Sequence, residues 1–216
     1  MAGILKVDQV QSDSNLAFNI AGSNVAFMNA TSLQMVGSNV SLAGTNVITN
    51  GKVVASGMPI GSVLQVVQTQ LTSIQSFSTT SYSWATVTGA SVSITPTSST
   101  NKILVMFSAQ AQTYTPAPYY ATYLRITRNG TAVGVGGGSG LQTGTFTSSM
   151  SGQYNAASVS QIFLDSPATT SAITYQLQVT GESSTTVVGG SYGSYPTVSS
   201  PYPNTPTSII VMEIAA

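Results

Sequence analysis

Apolar residues in this chain recur at every second position, in short runs, and nowhere at the spacing of a helix face. Leu16, Phe18 and Ile20 alternate with Ala17 and Asn19, and Val25 and Phe27 follow the same rule. Tyr82, Trp84, Thr86 and Thr88 share one phase, and Val92 and Ile94 extend the pattern. Successive side chains of a strand point to opposite faces, so this alternation marks strands with one buried face. No stretch long enough for an average helix shows a 3.6-residue apolar period with caps. Helix content should be near zero, and the chain reads as all-β.

Two regions differ in texture. Residues 1–60 are short alternating pieces separated by Gly and Asn turns. The phrase Gly-x-Asn-Val occurs at Gly22, Gly37 and Gly44, too irregularly for a solenoid. Asn50-Gly51 predicts a tight turn between Val47-Ile48 and Val53-Val54. Short strands with so little bulk cannot build a core alone. This β arm either lies extended on the second domain or wraps with two other copies around a shared core. Ala55 to Gly61 reads as the boundary.

Residues 61–216 predict strands at Val63–Val67, Tyr82–Ile94, Lys102–Ala111, Tyr119–Thr127, Ser158–Leu164, Ala172–Val179 and Ser208–Ile214. Arg128-Asn129-Gly130-Thr131 predicts a hairpin turn, with Val133 and Val135 beginning the return strand. The unbroken apolar run Ile103-Leu104-Val105-Met106-Phe107 predicts a strand covered on both faces. Many short strands divided by Ser, Gly and Pro turns indicate a jelly-roll-like antiparallel β-sandwich.

Charge is scarce: five Lys/Arg, five Asp/Glu, no His and a net charge of zero. Charged residues make up 5% of the chain, against about 25% in an ordinary domain. Solubility must come from uncharged polar groups. Hydrophobic residues at 42% disfavour disorder. Without Cys or His there is no disulfide, no thiolate or imidazole metal site, and no Ser-His or Cys-His catalysis. Five cations cannot neutralise many phosphates, which argues against nucleic acid as a partner. No apolar run is long enough to span a membrane. Met1 to Val10 lacks a signal-peptide core, so synthesis in the cytoplasm is expected.

The carboxylates are Asp8, Asp13, Asp165, Glu182 and Glu213. Asp165-Ser166-Pro167 reads as a turn opener and Glu182 as a strand end, rather than as a glycosidase pair. With no catalytic base such as His, no catalytic residue, metal ligand or cofactor is assigned. The Gly-rich stretch from Gly134 to Gly140 lacks the Lys-Ser/Thr and the helix of a phosphate loop. Arg125 shares a phase with Tyr123 and Thr127 and should face outward. An ion pair from a cation of this domain to Asp165 or Glu182 across a subunit interface is one reading. Tyr114, Tyr119, Tyr120 and Tyr123 surround Pro116 and Pro118. Tyr192, Tyr195 and Tyr202 lie among Pro196, Pro201, Pro203 and Pro206. Tyr offers a stacking face with a hydroxyl and suits adaptable recognition surfaces. Tyr114, Tyr119, Tyr120, Tyr192, Tyr195 and Tyr202 are therefore candidate glycan or partner contacts. The alternative is that they pack between subunits or cover the sandwich ends.

Four phrases occur in order: Ile94-Thr95-Pro96-Thr97-Ser98-Ser99-Thr100-Asn101-Lys102-Ile103-Leu104-Val105, then Ile126-Thr127-Arg128-Asn129-Gly130-Thr131-Ala132-Val133-Gly134-Val135-Gly136, then Asp165-Ser166-Pro167 with Ile173-Thr174-Tyr175-Gln176-Leu177-Gln178, and Met212-Glu213-Ile214-Ala215-Ala216. With them the chain resembles tailed-phage structural and tail-fibre-like proteins, including head decoration and cement proteins, of marine and freshwater phage type. The opening Gly3-Ile4-Leu5-Lys6-Val7-Asp8-Gln9-Val10-Gln11-Ser12 looks like the start of the same group. The resemblance implies a non-enzymatic virion component, made in the host cytoplasm and assembled as a homotrimer. Its N-terminal part, with Ile4, Leu5, Val7 and Val10 as candidate anchors, would attach to other tail or capsid proteins or intertwine with its copies. The C-terminal sandwich would project. A host-glycan receptor module is the alternative within that frame. An enzyme acting on surface polysaccharide is the least supported class, since the chain is short for a depolymerising β-helix.

Overall fold

The structure is a computed structural model. It describes residues 16–20, 23–28, 33–35, 39–42, 45–49, 52–53, 55–79, 83–114, 120–136, 146–150, 156–181, 184–190 and 204–216. The chain divides into two compact units, Met1–Met58 and Pro59–Ala216.

Unit 1 holds two small antiparallel sheets. One is formed by β1 (Leu16–Ile20), β2 (Ser23–Met28) and β3 (Leu33–Met35), in that order. The other is formed by β4 (Asn39–Leu42), β5 (Thr45–Thr49) and β6 (Lys52–Val53), followed by a 3-10 turn at Ala55–Gly57. Each Gly-x-Asn-Val phrase opens a strand: Asn24 lies at the start of β2, Asn39 at the start of β4 and Asn46 at the start of β5. Thr49 pairs with Lys52, so β5 and β6 are joined through two residues. Asn50 and Gly51 themselves, like the candidate anchors Ile4, Leu5, Val7 and Val10, lie outside the described residues.

Unit 2 contains β7 (Val63–Leu71), β8 (Gln75–Thr79), β9 (Ala85–Ile94), β10 (Lys102–Tyr114), β11 (Tyr120–Arg128) and β12 (Thr131–Val133). It continues with β13 (Phe146–Met150), β14 (Ala156–Asp165), β15 (Ile173–Gly181), β16 (Ser184–Val188) and β17 (Thr207–Ile214). Several of these share a row. β10 pairs along one edge with β17 and then β16, and those two pair in turn with β7 and β8. β11 pairs along one edge with β12 and then β13. Taking β7/β8, β12/β13 and β16/β17 as single rows leaves eight. Numbered along the chain, sheet I has the row order 1-8-3-6, and sheet II has 2-7-4-5. That is a jelly roll: two four-row antiparallel sheets whose connections cross repeatedly from one to the other.

The core lies between the sheets. Ile103, Val105 and Phe107 of β10 face Leu124 and Ile126 of β11 and Tyr175, Leu177 and Val179 of β15 across one contiguous cluster. β9 enters it twice, because its alternation changes phase at an irregularity between Thr86 and Ser91. Val87 is buried on one phase, and Ala90, Val92 and Ile94 on the other. Thr88, left without a ladder partner there, is bridged by the side chain of Gln75, which accepts from Thr88 N at 3.0 Å and donates to Thr88 O at 2.5 Å.

One expectation is corrected. β10 is not covered on both faces: Ile103, Val105 and Phe107 are buried, whereas Leu104 and Met106 are only half-buried. Their neighbours on the outer face are themselves apolar, so the run reads as doubly covered although the sandwich has two layers only.

The Asn129-Gly130 turn is as the sequence predicts. Both residues have positive φ (48° and 85°), and Arg128 pairs with Thr131. Val133 begins the return strand, but Val135 lies beyond it. Between them Gly134 has φ +63°, and a Cβ there would lie 2.7 Å from the ring of Phe163, against open space at Gly130. Gly134→Ala should therefore cost on the order of 2 kcal/mol and Gly130→Ala about half that. Urea unfolding of the two variants checks this ranking.

Candidate functional site

The two ends of the sandwich differ. At one end, called proximal, the chain enters at Pro59–Ser62 and terminates at Ala216, and the two are stitched together: Gly61 N donates to Ala215 O at 2.8 Å and Ala215 N to Ser62 O at 2.9 Å. Segments 95–101, 129–130 and 166–172 join strands at this same end. At the opposite, distal end lie four pairs of strand termini: Thr79 and Ala85, Tyr114 and Tyr120, Met150 and Ala156, Gly181 and Ser184.

This places the candidate Tyr contacts in part. Tyr114 ends β10 opposite Thr185, and Tyr120 opens β11 opposite Met150, both at the distal end. Tyr119, Tyr192, Tyr195 and Tyr202 lie outside the described residues. The feet of the segment carrying the last three are described. Gly189 N donates to Gln110 O at 2.9 Å, Thr205 N donates to Gly189 O at 3.1 Å, and Thr205 Oγ1 donates to Gln110 Oε1 at 2.6 Å. β16 and β17 thus lie in one row, with Gly189 and Thr205 hydrogen-bonded to each other where the first ends and the second begins.

The proximal end is tied by two carboxylates. Glu213 on β17 is fully buried and, among the described residues, has no ion-pair partner. Its Oε1 accepts from Thr97 N at 2.6 Å, Thr97 Oγ1 at 2.8 Å and Asn101 Nδ2 at 2.7 Å, and its Oε2 accepts from Gln65 Nε2 at 2.6 Å. Asn101 Oδ1 in turn accepts from Ala216 N at 3.2 Å. Burial alone would raise the carboxyl pKa, but these donors favour the charged form and hold it below the ordinary 4.5.

Asp165, at the end of β14, accepts from Arg128 Nη1 at 2.8 and 2.7 Å, Tyr175 Oη at 2.6 Å and Ser166 N at 2.9 Å. This joins β14 of sheet I to β11 and β15 of sheet II. Asp165 is therefore paired with Arg128 within the chain, which removes it from the subunit-interface reading. Burial, reinforced by the bond to Asp165, pushes the Tyr175 hydroxyl far above its usual pKa of 10.0, so it stays a donor. Both carboxylates are occupied by fixed donors and hold the frame. Among the described residues, no group of three or more His, Cys, Asp or Glu could bind a metal.

A third cluster lies on the outer face of sheet II. The Arg125 guanidinium sits 4.0 Å from the centroid of the Trp84 ring, and its Nε donates to Gln178 Oε1 at 2.8 Å. Arg125 faces outward as its phase predicts, but it lies flat and half-buried. Sequence reasoning missed this pair because Trp84 precedes β9 whereas Arg125 lies within β11. Only the order β9–β15–β11, with Gln178 opposite both Thr86 and Arg125, brings them together.

No family model and no curated protein matches the chain. Among solved structures, it is similar to a chain of infectious bursal disease virus, Gx strain, at TM-score 0.33 and 13% identity, over 85% of this chain and 47% of that one. The Gt strain gives TM-score 0.31 and 11% identity, over 88% and 47%. The chain spans about half the length of the solved chains it matches. Likeness at this level does not identify a family.

The Glu213 cluster predicts a pH dependence. A carboxyl whose folded pKa is depressed contributes stability above its unfolded pKa and loses it as pH falls through the folded value. Glu213→Gln should cost about 1–3 kcal/mol at pH 7, because an amide turns N–H groups toward existing donors. The gap between wild type and variant should shrink below pH 4.5. Denaturant titrations at pH 7 and pH 3 measure it.

Proposed function

We propose that this protein is a non-enzymatic structural component of a phage virion. In this reading it is a trimeric appendage, on tail or head, anchored by residues 1–60 and displaying the jelly roll. The observation that carries the reading is the polarity of the sandwich. The chain enters and ends at one end, and four pairs of strand termini stand at the other.

The phrases that carry the phage resemblance fall at this proximal end. Thr97, Asn101 and Glu213 build one buried cluster, and Arg128, Asp165 and Tyr175 the other. The Tyr- and Pro-rich segments instead follow Tyr114, which ends β10 at the distal end, and Gly190, which follows β16. A frame locked at one end by two buried carboxylates is an arrangement that suits an appendage. It also favours a second reading, in which those segments contact host glycans.

Electron microscopy of purified particles, labelled with antibody to residues 61–216, tests the proposal. Label on the tail makes the protein a fibre, and label over the head makes it a decoration or cement protein. Absence of label from intact particles overturns the virion reading. In light scattering the protein should have three times its 22.1 kDa chain mass. If the segments bind glycans, Tyr192→Ala or Tyr202→Ala should abolish array binding while the trimer persists.

A further inference from the structure

The two outer faces of the sandwich differ in chemistry. That of sheet II is polar, with Thr86, Thr174, Gln178 and Arg125 along its strands. That of sheet I is apolar across all four rows. Val66, Met212, Leu104 and Leu164 form one cross-strand line, and Ile210, Met106 and Ile162 form the next, with the polar Gln68 in its fourth place. Ile162 is 63% exposed, Leu164 56% and Val66 55%. The following line toward the distal end is Gln70, Ser208, Ser108 and Ser160, polar but uncharged. At roughly 4.8 Å between rows and 6.6 Å between lines, the seven apolar positions cover on the order of 220 Å². The apolar lines with a polar line beside them have the layout of an interface core and its rim.

The charge pattern selects the partner. Neither apolar line carries a formal charge, and the nearby charges are engaged: Lys102 Nζ donates to Ser166 Oγ at 2.8 Å, and Asp165 is held by Arg128. A partner with a charged surface would bury its charges here without counter-ions, at a cost that geometry cannot recover. A bilayer with anionic headgroups would find no row of cations. A second copy of this chain, with the same uncharged face and zero net charge, meets no repulsion and leaves no charge unpaired. β14 points the same way. Among the described residues it pairs with β10 alone, and from Ala156 to Leu164 it has no Lys, Pro or other charge to protect a free edge.

We propose that the outer face of sheet I, centred on Met106 and bordered by Ile162 and Leu164, is the surface through which copies of this chain assemble, three such faces turning toward a common axis. This rests on the trimer of the proposed function. Closed symmetry covers every copy of the face and leaves none to recruit further chains.

Light scattering on wild type and Ile162→Asp is the test, with the β-sheet circular dichroism of both recorded. Wild type should have the mass of three chains and the folded variant that of one. A trimeric Ile162→Asp would overturn the assignment of the face while leaving the trimer intact. A monomeric wild type would overturn both. Should the charged variant fail to fold, single cysteines decide, since the chain has none of its own. Cysteine at Ile162→Cys should react with a maleimide about tenfold more slowly than at Thr86→Cys on sheet II. Equal rates in a trimeric protein would overturn the proposal.

Discussion

A carboxylate buried without a cation holds the proximal end together. Glu213 has no ion-pair partner among the described residues, and depends on hydrogen-bond donors from two segments distant in sequence, Gln65 on β7 and the 95–101 connection. Removing any donor exposes the cost of the charge, so Gln65 on β7 and the connection from β9 to β10, with both Thr97 and Asn101, must be in place at once. In a chain with only ten charged residues, spending one in this way makes the C-terminal strand the lock of the sandwich. Asp165 does the same between the sheets, with Arg128 and Tyr175 in place of amides.

Much of this fold was legible in the sequence. Wherever one face is buried and the other polar, as in β11 and β15, the alternation locates the strand. The short strands β8, β13 and β16 were missed. Gln75–Thr79, Phe146–Met150 and Ser184–Val188 are mostly Ser, Thr and isolated apolar residues. They are strands because a longer neighbour offers a ladder, which is information from another part of the chain. β10 was misread for a different reason. Sequence shows that both faces are apolar, but not that only one is covered.

The candidate sites divide along the same line. Local pattern placed the Asn129-Gly130 turn and the outward phase of Arg125. It offered no sign that Thr97, Asn101 and Gln65 converge on Glu213, or that Trp84 lies under Arg125. Each of those contacts joins residues on different strands, and the row order of the sheets makes them neighbours. The resemblance phrases acquire a physical meaning here: several of their polar residues are the fixed donors and acceptors of the proximal end.

The excursion between β16 and β17 has a consequence for how such a chain can change. Its two feet, Gly189 and Thr205, stand one hydrogen bond apart, and the strands on either side, β16 and β17, pair with β10 in their own registers. The intervening residues therefore set neither strand's alignment. A segment of another length or composition can be spliced between these feet without shifting a rung, because a longer loop adds little closure entropy. The sandwich is in this sense a socket, and its cargo can be exchanged while the frame stays the same.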